Sequence, residues 1–351
     1  MKIRITDIAD MAGVSAGTVD RVIHRRGKVS ADKAERVEKV LREIGYEPNL
    51  AARALASKKE FPIAVIAPSF DGPGYWSKVG EGMAKAVTEL RQYNVTVDLF
   101  RFDQYDRDSF PVSIPGNGQY KGFVIATLFE GRVKQLSEKL DAAEIPYVYI
   151  DSVIEGQRDL AYFGVDAYRS GYIAGKLLSR EIAPQDDLLL AHIRFSRTEI
   201  SLQMEARRQG IKEALREHGH MGLTSELELN PGTPESLRTL TQYLGECEGK
   251  VGAVVLNSRI YELAGMLEQY SPELRRRVVA AGFEAIAPNV TALKKGMVDF
   301  LISQRPELQG YDAVKALGNF LLDGQRPQKV NFMPIDIIIP ENVDYYNNYK
   351  L

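Results

Sequence analysis

The 351-residue chain is poor in the residues that build covalent or metal-based sites. Its single cysteine, Cys247, excludes a disulfide within the chain and fits a reducing compartment. Of its four histidines, only His218 and His220 are close in sequence, and no cysteine or carboxylate spacing completes a zinc site. No glycine-rich segment continues into the Gly-Lys-Ser/Thr of a phosphate loop. We therefore expect no metal, no cofactor and no catalytic residues.

Long apolar runs are also missing. No run approaches the ~20 residues that a membrane-spanning helix needs, and residues 1–7 hold no apolar signal core. Hydrophobic residues make up 44% and charged residues 26%, as in ordinary globular proteins. These features predict a cytoplasmic protein that does not contact a membrane.

Charge is unevenly distributed along the chain. Residues 1–60 carry 13 Lys/Arg and 9 Asp/Glu, whereas the remaining residues carry 32 and 38. A basic head on an acidic body favours a polyanionic partner for the head. The excess of basic over acidic residues in 1–60 does not by itself distinguish a head that binds a polyanion from chance variation in composition.

The head shows three short helical patterns. The first covers about Thr6–Ala12, with Thr6 as its N-cap, and Gly13 permits a sharp turn. Ser15 caps the second helix, and Ser30 caps a third that ends at Gly45. Two helices joined by a tight glycine turn are typical of a helix-turn-helix, whose second helix enters the major groove of DNA.

Polar residues early in that second helix can read base edges, and the basic residues after it can contact phosphates. The predicted base-facing residues are Ser15, Ala16, Gly17, Thr18, Asp20 and Arg21, and the predicted phosphate contacts are Arg25, Arg26 and Lys28. Residues 49–57 form an Ala-rich segment too short to persist as an isolated helix. We interpret that segment as a conditional hinge helix.

Beyond Phe61, apolar runs alternate with amphipathic helices, as in parallel sheets covered on both faces. This part of the chain has about 290 residues, which is more than a single hydrophobic core usually holds. Its length therefore indicates two lobes. The segment Ser109–Gly118 is predicted as a loop. The predicted strands are Ile63–Ala67, Val95–Phe100, Gly122–Ala126, Tyr147–Ile150, Leu188–Ile193, Val251–Leu256 and Val278–Ala281.

The segment Thr6–Ser30, TDIADMAGVSAGTVDRVIHRRGKVS, resembles the DNA-binding head of the LacI/GalR family of bacterial transcriptional regulators. The resemblance continues through residues 45–49 and the hinge at 51–56. It implies that paired hinge helices enter the minor groove, where Leu55 wedges between base pairs. Asp20 replaces the usual small hydroxyl residue, so the operator sequence is not implied. Further DNA-binding residues implied are Thr6, Asn49, Ala52 and Arg53.

The predicted architecture is a small all-α helix-turn-helix head followed by a two-lobed α/β body with two doubly wound parallel sheets, similar to periplasmic binding proteins of type I. The expected domains are 1–47 for DNA binding, 48–60 for the hinge and linker, and 61–351 for effector binding and dimerisation. Lobe 1 is expected at 61–163 and 304–325, and lobe 2 at 164–303 and 326–340.

Ligands of such proteins bind beyond the carboxyl ends of strands, between the lobes. Polar groups with adjacent aromatics at those ends suit a hydroxyl-rich ring. Asp166 precedes a helix and is instead expected to cap it. The predicted effector-binding residues, several also implied by the resemblance, are Ser69, Tyr75, Trp76, Asp151, Arg207, Asn257, Glu284 and Gln304.

Four residues of this chain differ from those that are usual in the sugar-binding proteins it resembles. Ser152 stands where arginine is usual, Ser258 and Glu284 each replace an aspartate, and Gly74 replaces a proline. The particular sugar is therefore not implied. Plain structural roles are the alternatives: core aromatics, a surface ion pair at Arg207, and loop or cap residues.

The sequence thus predicts a homodimeric regulator that binds double-stranded operator DNA and a small sugar-like effector. One alternative is a sugar-binding component of an uptake system. A remote one is an α/β hydrolase, because Gly13-Val14-Ser15-Ala16-Gly17 satisfies G-x-S-x-G. That motif requires a strand before the serine, and a helix is predicted there.

Overall fold

The computed structural model describes residues 4–23, 27, 29–44, 59–70, 72, 74–194 and 201–346. Several residues predicted to contact DNA lie outside these ranges, namely Arg25, Arg26, Lys28, Asn49, Ala52, Arg53 and Leu55. The predicted hinge helix is outside them as well.

The described head contains three helices, α1 (Ile5–Ala12), α2 (Ala16–Ile23) and α3 (Ala31–Glu43). They share a small core in which Ile8, Val19 and Val37 are fully buried. The predicted N-cap at Thr6 is wrong, because α1 begins one residue before it. The backbone N–H of Arg4 instead donates to Asp7 Oδ2 at 2.8 Å, so an acidic residue in the first turn anchors the start of the helix.

The first sheet has six strands, all parallel, in the order β11-β5-β4-β3-β1-β2. The burial of β3 and β4 throughout, and of β1 at every residue except Pro62, agrees with the apolar runs that predicted these strands. The strands are β1 (Phe61–Pro68), β2 (Val95–Phe102), β3 (Gly122–Ala126), β4 (Tyr147–Ile150), β5 (Ala161–Gly164) and β11 (Val330–Phe332).

The second sheet repeats this order as β12-β10-β9-β8-β6-β7, and only β12 is antiparallel to its neighbour. Strands β1 to β5 therefore correspond in sheet position to β6 to β10. Its strands are β6 (Asp187–Ile193), β7 (Thr224–Leu229), β8 (Val251–Val255), β9 (Val278–Phe283), β10 (Phe300–Ser303) and β12 (Asp336–Ile338).

Helices connect most successive strands of each sheet, as parallel strand order favours. The exceptions are in the first sheet, where 3-10 turns join β2 to β3 and a non-helical segment, 151–160, joins β4 to β5. The helices of the body are α4 (Tyr75–Leu90), α5 (Glu130–Ala142), α6 (Ala167–Glu181), α7 (Leu202–Glu217), α8 (Pro234–Glu246), α9 (Ile260–Leu267), α10 (Pro272–Arg276), α11 (Ala287–Lys294), α12 (Pro306–Asp323) and α13 (Val343–Tyr346). The segment 109–118 holds short 3-10 turns. No helix in the described ranges is long and apolar enough to cross a membrane.

The chain passes between the sheets three times, after β5, after β10 and between β11 and β12. The assignment of 326–340 to lobe 2 is wrong at its start. Val330–Phe332 pairs with β5 of the first sheet, and only Asp336–Ile338 joins the second. Two three-residue strands around a crossing give too short an apolar pattern to be assigned to a sheet from sequence.

Candidate functional site

The second helix of the head presents a polar, solvent-facing surface. Gly13 adopts φ 63°, the left-handed conformation that ends α1 and turns the chain. The N–H of Thr18 donates to Ser15 Oγ at 3.2 Å, which caps α2 as predicted. Val19 points into the core, so the other side of α2 is left for contacts.

This surface brings together the described residues that were predicted to face DNA. Thr6 lies on α1 and is also exposed. Ser15, the cap of α2, is exposed. On α2 itself, the exposed residues are Ala16, Gly17 and Arg21, and the half-buried ones are Thr18 and Asp20.

Ser15 lacks the surroundings of a hydrolase nucleophile. It follows helix α1 rather than a strand, and its hydroxyl lies 2.9 Å from the hydroxyl of Thr18. The serine of a nucleophile elbow stands on a strand-to-helix turn above a sheet. The geometry therefore favours a capping role for Ser15.

A cavity of about 550 Å³ lies where the carboxyl ends of strands from both sheets meet. This volume falls in the range of small-molecule sites. Seven of the eight predicted effector-binding residues line it: Ser69, Tyr75, Trp76, Asp151, Arg207, Asn257 and Glu284. Gln304 lies behind the wall, where its Nε2 donates to Glu284 Oε1 at 2.7 Å.

Arg207 forms the centre of the lobe 2 wall. Its side chain is buried, and the guanidinium carbon lies 4.0 Å from the centroid of the Phe283 ring. Nη1 donates to the carbonyl of Leu256 at 2.9 Å, and Nη2 to Glu284 Oε1 at 3.3 Å. These contacts exclude the surface ion pair that was the alternative for Arg207, since exposed pairs neither stack on a core ring nor reach a strand-end carbonyl.

Glu284 follows β9 with φ 73°, which non-glycine residues rarely adopt. Asn289 of α11 fixes this conformation, because its Nδ2 donates to the carbonyls of Phe283 and Glu284 at 3.0 and 2.8 Å. Burial raises the pKa of the Glu284 carboxyl, and the positive charge of Arg207 opposes that rise. The structure thus holds an acidic side chain against the cavity at a conformational cost.

Asp151 occupies the corresponding position after β4, with φ 84°. Thr127 fixes the flanking backbone: its hydroxyl accepts from the N–H of Ser152 and donates to the carbonyl of Ile150. Burial raises the pKa of Asp151 to about 6, against the lowering effects of Arg207 and the Ser152 hydroxyl. Each lobe therefore offers one buried carboxyl group to the cavity.

The aromatic pair lies at the start of α4. The Tyr75 and Trp76 rings meet edge to face, with centroids 5.1 Å apart. The Tyr75 hydroxyl donates to Gln309 Oε1 at 2.6 Å, and Gln309 Nε2 donates to the carbonyl of Phe163 at 2.9 Å. Burial raises the pKa of Tyr75, so its hydroxyl remains protonated as a donor.

Asn257 and Ser69 have more peripheral positions. Asn257 Oδ1 accepts from the N–H of Arg259 at 3.1 Å, and its Nδ2 donates to the carbonyl of Ile193 at 3.1 Å. The side chain of Asn257 thus fixes its own loop and ties it to the end of β6. Ser69 is exposed at the edge of the cavity, one residue beyond β1.

Asp166 caps α6, as predicted, because its Oδ1 accepts from the N–H of Arg169 at 2.8 Å.

Several residues that line the cavity were not predicted from the sequence. Gln203 of α7 is one of them. It lines the cavity, and its Nε2 donates to the carbonyl of Asp151 at 3.2 Å. Tyr105 and Arg259 were missed as well. Tyr105 comes shortly after β2, and extending that predicted strand to Phe102 would have directed attention to it.

Several buried polar atoms around the cavity have no hydrogen-bond partner among the described residues. They are Arg207 Nε, Glu284 Oε2, Gln304 Oε1 and the Tyr105 hydroxyl. Such atoms are costly unless a ligand or water satisfies them. Among the residues that the structure describes, no group of three or more His, Cys, Asp or Glu side chains is arranged to hold a metal.

Two family models match the chain. Residues 63–326 match the periplasmic binding protein domain, and residues 4–49 match the bacterial regulatory proteins of the lacI family. The chain is 32% identical over 181 residues to the HTH-type transcriptional regulator DegA of Bacillus subtilis (strain 168), which covers 51% of this chain and 52% of that protein. The matches thus span about half the length of such curated relatives.

Solved structures share the fold of the body. A structure described as a LacI transcriptional regulator from Bacteroides fragilis has a TM-score of 0.74 at 29% identity, covering 82% of this chain and 100% of that one. An ABC transporter solute-binding protein from Agrobacterium vitis, bound with alpha-D-tagatopyranose, has a TM-score of 0.69 at 19% identity and covers 81% of this chain and 96% of its own. At that identity the second likeness concerns the fold alone.

Proposed function

We propose that this protein is a ligand-controlled transcription regulator, starting from its family: the chain belongs to the periplasmic binding protein domain family over residues 63–326 and carries the head of the lacI family of bacterial regulatory proteins at residues 4–49. The observation that carries the proposal is the combination in one chain of an exposed recognition helix and a cavity with buried charged groups. Neither feature alone would require the other.

The head is proposed to bind double-stranded operator DNA through α2. Arg21 is exposed on that helix and can donate two hydrogen bonds to a guanine. Ser15 and Thr18 can contact phosphates or bases near the start of the helix. The remaining proposed contacts, which are Arg25, Arg26 and Lys28 after α2 and the residues of the hinge, lie outside the described residues.

The cavity is proposed to bind a sugar or sugar derivative. Asp151 and Glu284 can accept hydrogen bonds from hydroxyl groups, and Arg207 can donate to ring or hydroxyl oxygens. Trp76 can cover the C–H face of a ring. This chemistry fits a hydroxyl-rich ring, the class to which the tagatopyranose bound by the Agrobacterium vitis protein belongs.

Ligand and DNA are proposed to be linked through the relative position of the lobes. A ligand that contacts both walls favours their approach, and a homodimer would transmit that change to two heads. Two-fold symmetric operators require such a pair of heads. We place this function in the cytoplasm, where chromosomal DNA is accessible.

The alternative function is a sugar-binding component of an uptake system, which would use the same body fold. It gives no role to a folded head whose recognition helix exposes Arg21. A hydrolase is disfavoured by the capping role of Ser15.

The proposal is tested by selecting duplexes from a random-sequence pool with the full chain. We expect enrichment of a two-fold symmetric sequence, and an affinity that falls with salt by a log–log slope of about −0.9 per phosphate contacted. Arg21→Ala should weaken binding to the enriched sequence by about 1–3 kcal/mol and relax its base preference.

Arg180→Ala is the matched control, because it removes an exposed arginine from the body and leaves the head unchanged. It should bind the enriched duplex like the unsubstituted chain. Failure to enrich any sequence, together with a flat salt response, would exclude the regulator function.

A further inference from the structure

Two residues from different lobes meet in the wall of the cavity. Tyr105 lies three residues beyond β2 in the first sheet, and Arg259 lies between β8 and α9 in the second. Both line the cavity, and the guanidinium carbon of Arg259 lies 5.3 Å from the centroid of the Tyr105 ring. This is the separation of a cation–π contact, and it spans the cleft.

Local hydrogen bonds hold each partner in position. The N–H of Tyr105 donates to Asp103 Oδ1 at 2.8 Å, and the N–H of Arg259 donates to Asn257 Oδ1 at 3.1 Å. Both are side-chain turns that fix the backbone immediately after a strand. Because each of the two loops is ordered by its own hydrogen bonds, little further ordering is needed for the Tyr105 ring and the Arg259 guanidinium to meet.

The position of the pair in the sheets makes it sensitive to lobe movement. The crossings between the lobes follow β5 and β10 and lie between β11 and β12, whereas β2 is the opposite edge strand of the first sheet. A rotation about the crossings therefore displaces the end of β2 more than the strands beside them. The contact between Gln203 and the Asp151 carbonyl involves β4, which is adjacent to β5, and is displaced less.

We propose that Tyr105 and Arg259 form a latch that stabilises the approach of the two lobes and so sets how readily the cavity closes around an effector. The inference rests on the proposed function, since it assigns these residues to the regulation of the effector site. A contact made only when the lobes are together shifts their equilibrium by its own free energy. For a single cation–π pair this corresponds to a roughly two- to five-fold change in the closed-to-open ratio.

The test measures the distance between the lobes in the full chain without effector or DNA. Cys247, the single cysteine, is replaced by serine, and spin labels are attached at Gln135→Cys on α5 and Arg238→Cys on α8, both exposed positions on different lobes. Pulsed electron–electron resonance then gives the distribution of inter-label distances. Tyr105→Ala should lower the ratio of short to long distances in that distribution about two- to five-fold.

Matched variants separate the latch from a general loss of structure. Tyr105→Phe keeps the ring and should retain the unsubstituted distribution, whereas Arg259→Met removes the charge from the other lobe and should reproduce the shift of Tyr105→Ala. The double variant Tyr105→Ala/Arg259→Met should show no further shift, because either change alone removes the contact.

An unaltered distribution in Tyr105→Ala, or an equal shift in Tyr105→Phe, would overturn the latch. The outcome is independent of the DNA-binding head, so a chain that fails to select an operator could still show the latch. Conversely, if the chain binds a selected operator but its inter-label distances are unchanged by both substitutions, only the latch is disproved.

Discussion

At the scale of single residues, the two carboxylates of the cavity share an unusual conformation. Asp151 and Glu284 follow corresponding strands of the two sheets, and both have φ in the left-handed region. Such residues cost about 1–3 kcal/mol each and persist where the surroundings fix them, here through Thr127 and Asn289. The repetition of this arrangement in both lobes supports a role in binding rather than in packing.

The buried carboxyl of Asp151 predicts a specific dependence of stability on pH. Its pKa is raised to about 6 in the folded chain, above the value near 4 of an exposed aspartate. The contribution of this group to stability is therefore complete below about pH 4 and is lost as the pH rises through 6. We expect Asp151→Asn to gain about 1–3 kcal/mol relative to the unsubstituted chain between pH 4 and pH 7.

Urea unfolding at the two pH values measures this difference. Ser152→Ala serves as the companion variant, since it removes a hydroxyl that lowers the pKa of Asp151 and should steepen the loss of stability with pH. A free-energy difference between Asp151→Asn and the unsubstituted chain that is equal at pH 4 and pH 7 would contradict the assignment.

Sequence reasoning located most of the cavity because the carboxyl ends of parallel strands converge. It did not identify the residues that act at a distance from those ends. Gln309 on α12 reaches Tyr75 across 234 positions of sequence, and Asn289 supports Glu284 from the following helix. These contacts depend on how helices pack against the sheets, which the local pattern of the chain does not encode.

At the scale of elements, strands with an apolar run were recognised, including the partly exposed edge strand β2, whereas several short or more polar strands were not. In β7 every residue before the buried Leu229 is half-buried or exposed, while the buried strand Ala161–Gly164 has only four residues. Short or alternating runs resemble loops and helix faces in composition. The boundary error at 330–332 has the same origin.

Close packing between α6 and α7 positions Arg207. A β-carbon added at Gly171 of α6 would collide with the backbone of Arg207, including its carbonyl oxygen. Backbone atoms cannot rotate aside, so the two helices would have to separate. We expect Gly171→Ala to destabilise the body by about 1–3 kcal/mol and to displace Arg207 from the cavity.

Gly265→Ala on α9 is the matched control, because its β-carbon would meet no atom within 4 Å. That substitution should stabilise the chain by up to about 1 kcal/mol through helix propensity. Thermal unfolding of both variants gives the comparison. Equal melting temperatures for the two would show that the α6–α7 spacing is not set by Gly171.

At the scale of the whole molecule, the chain carries two sites that share no described residue: the α2 surface and the interlobe cavity. A regulator requires that occupation of one changes the affinity of the other, and thermodynamic linkage makes this effect reciprocal. The positions of both sites were predicted from sequence patterns and family resemblance. The geometry of the cavity adds which side-chain groups a ligand would contact.

Linkage between ligand binding and DNA binding is the property that defines a ligand-controlled regulator, and it can be measured on the full chain. Trp76, the single tryptophan, lines the cavity, so we expect its fluorescence to change when a ligand binds, and a panel of sugars can be screened on the full chain. The affinity for the selected duplex is then measured with and without a saturating amount of the compound that changes Trp76 emission. We predict a change of about 5- to 150-fold in either direction. An affinity for the duplex that stays the same at saturation would contradict ligand control.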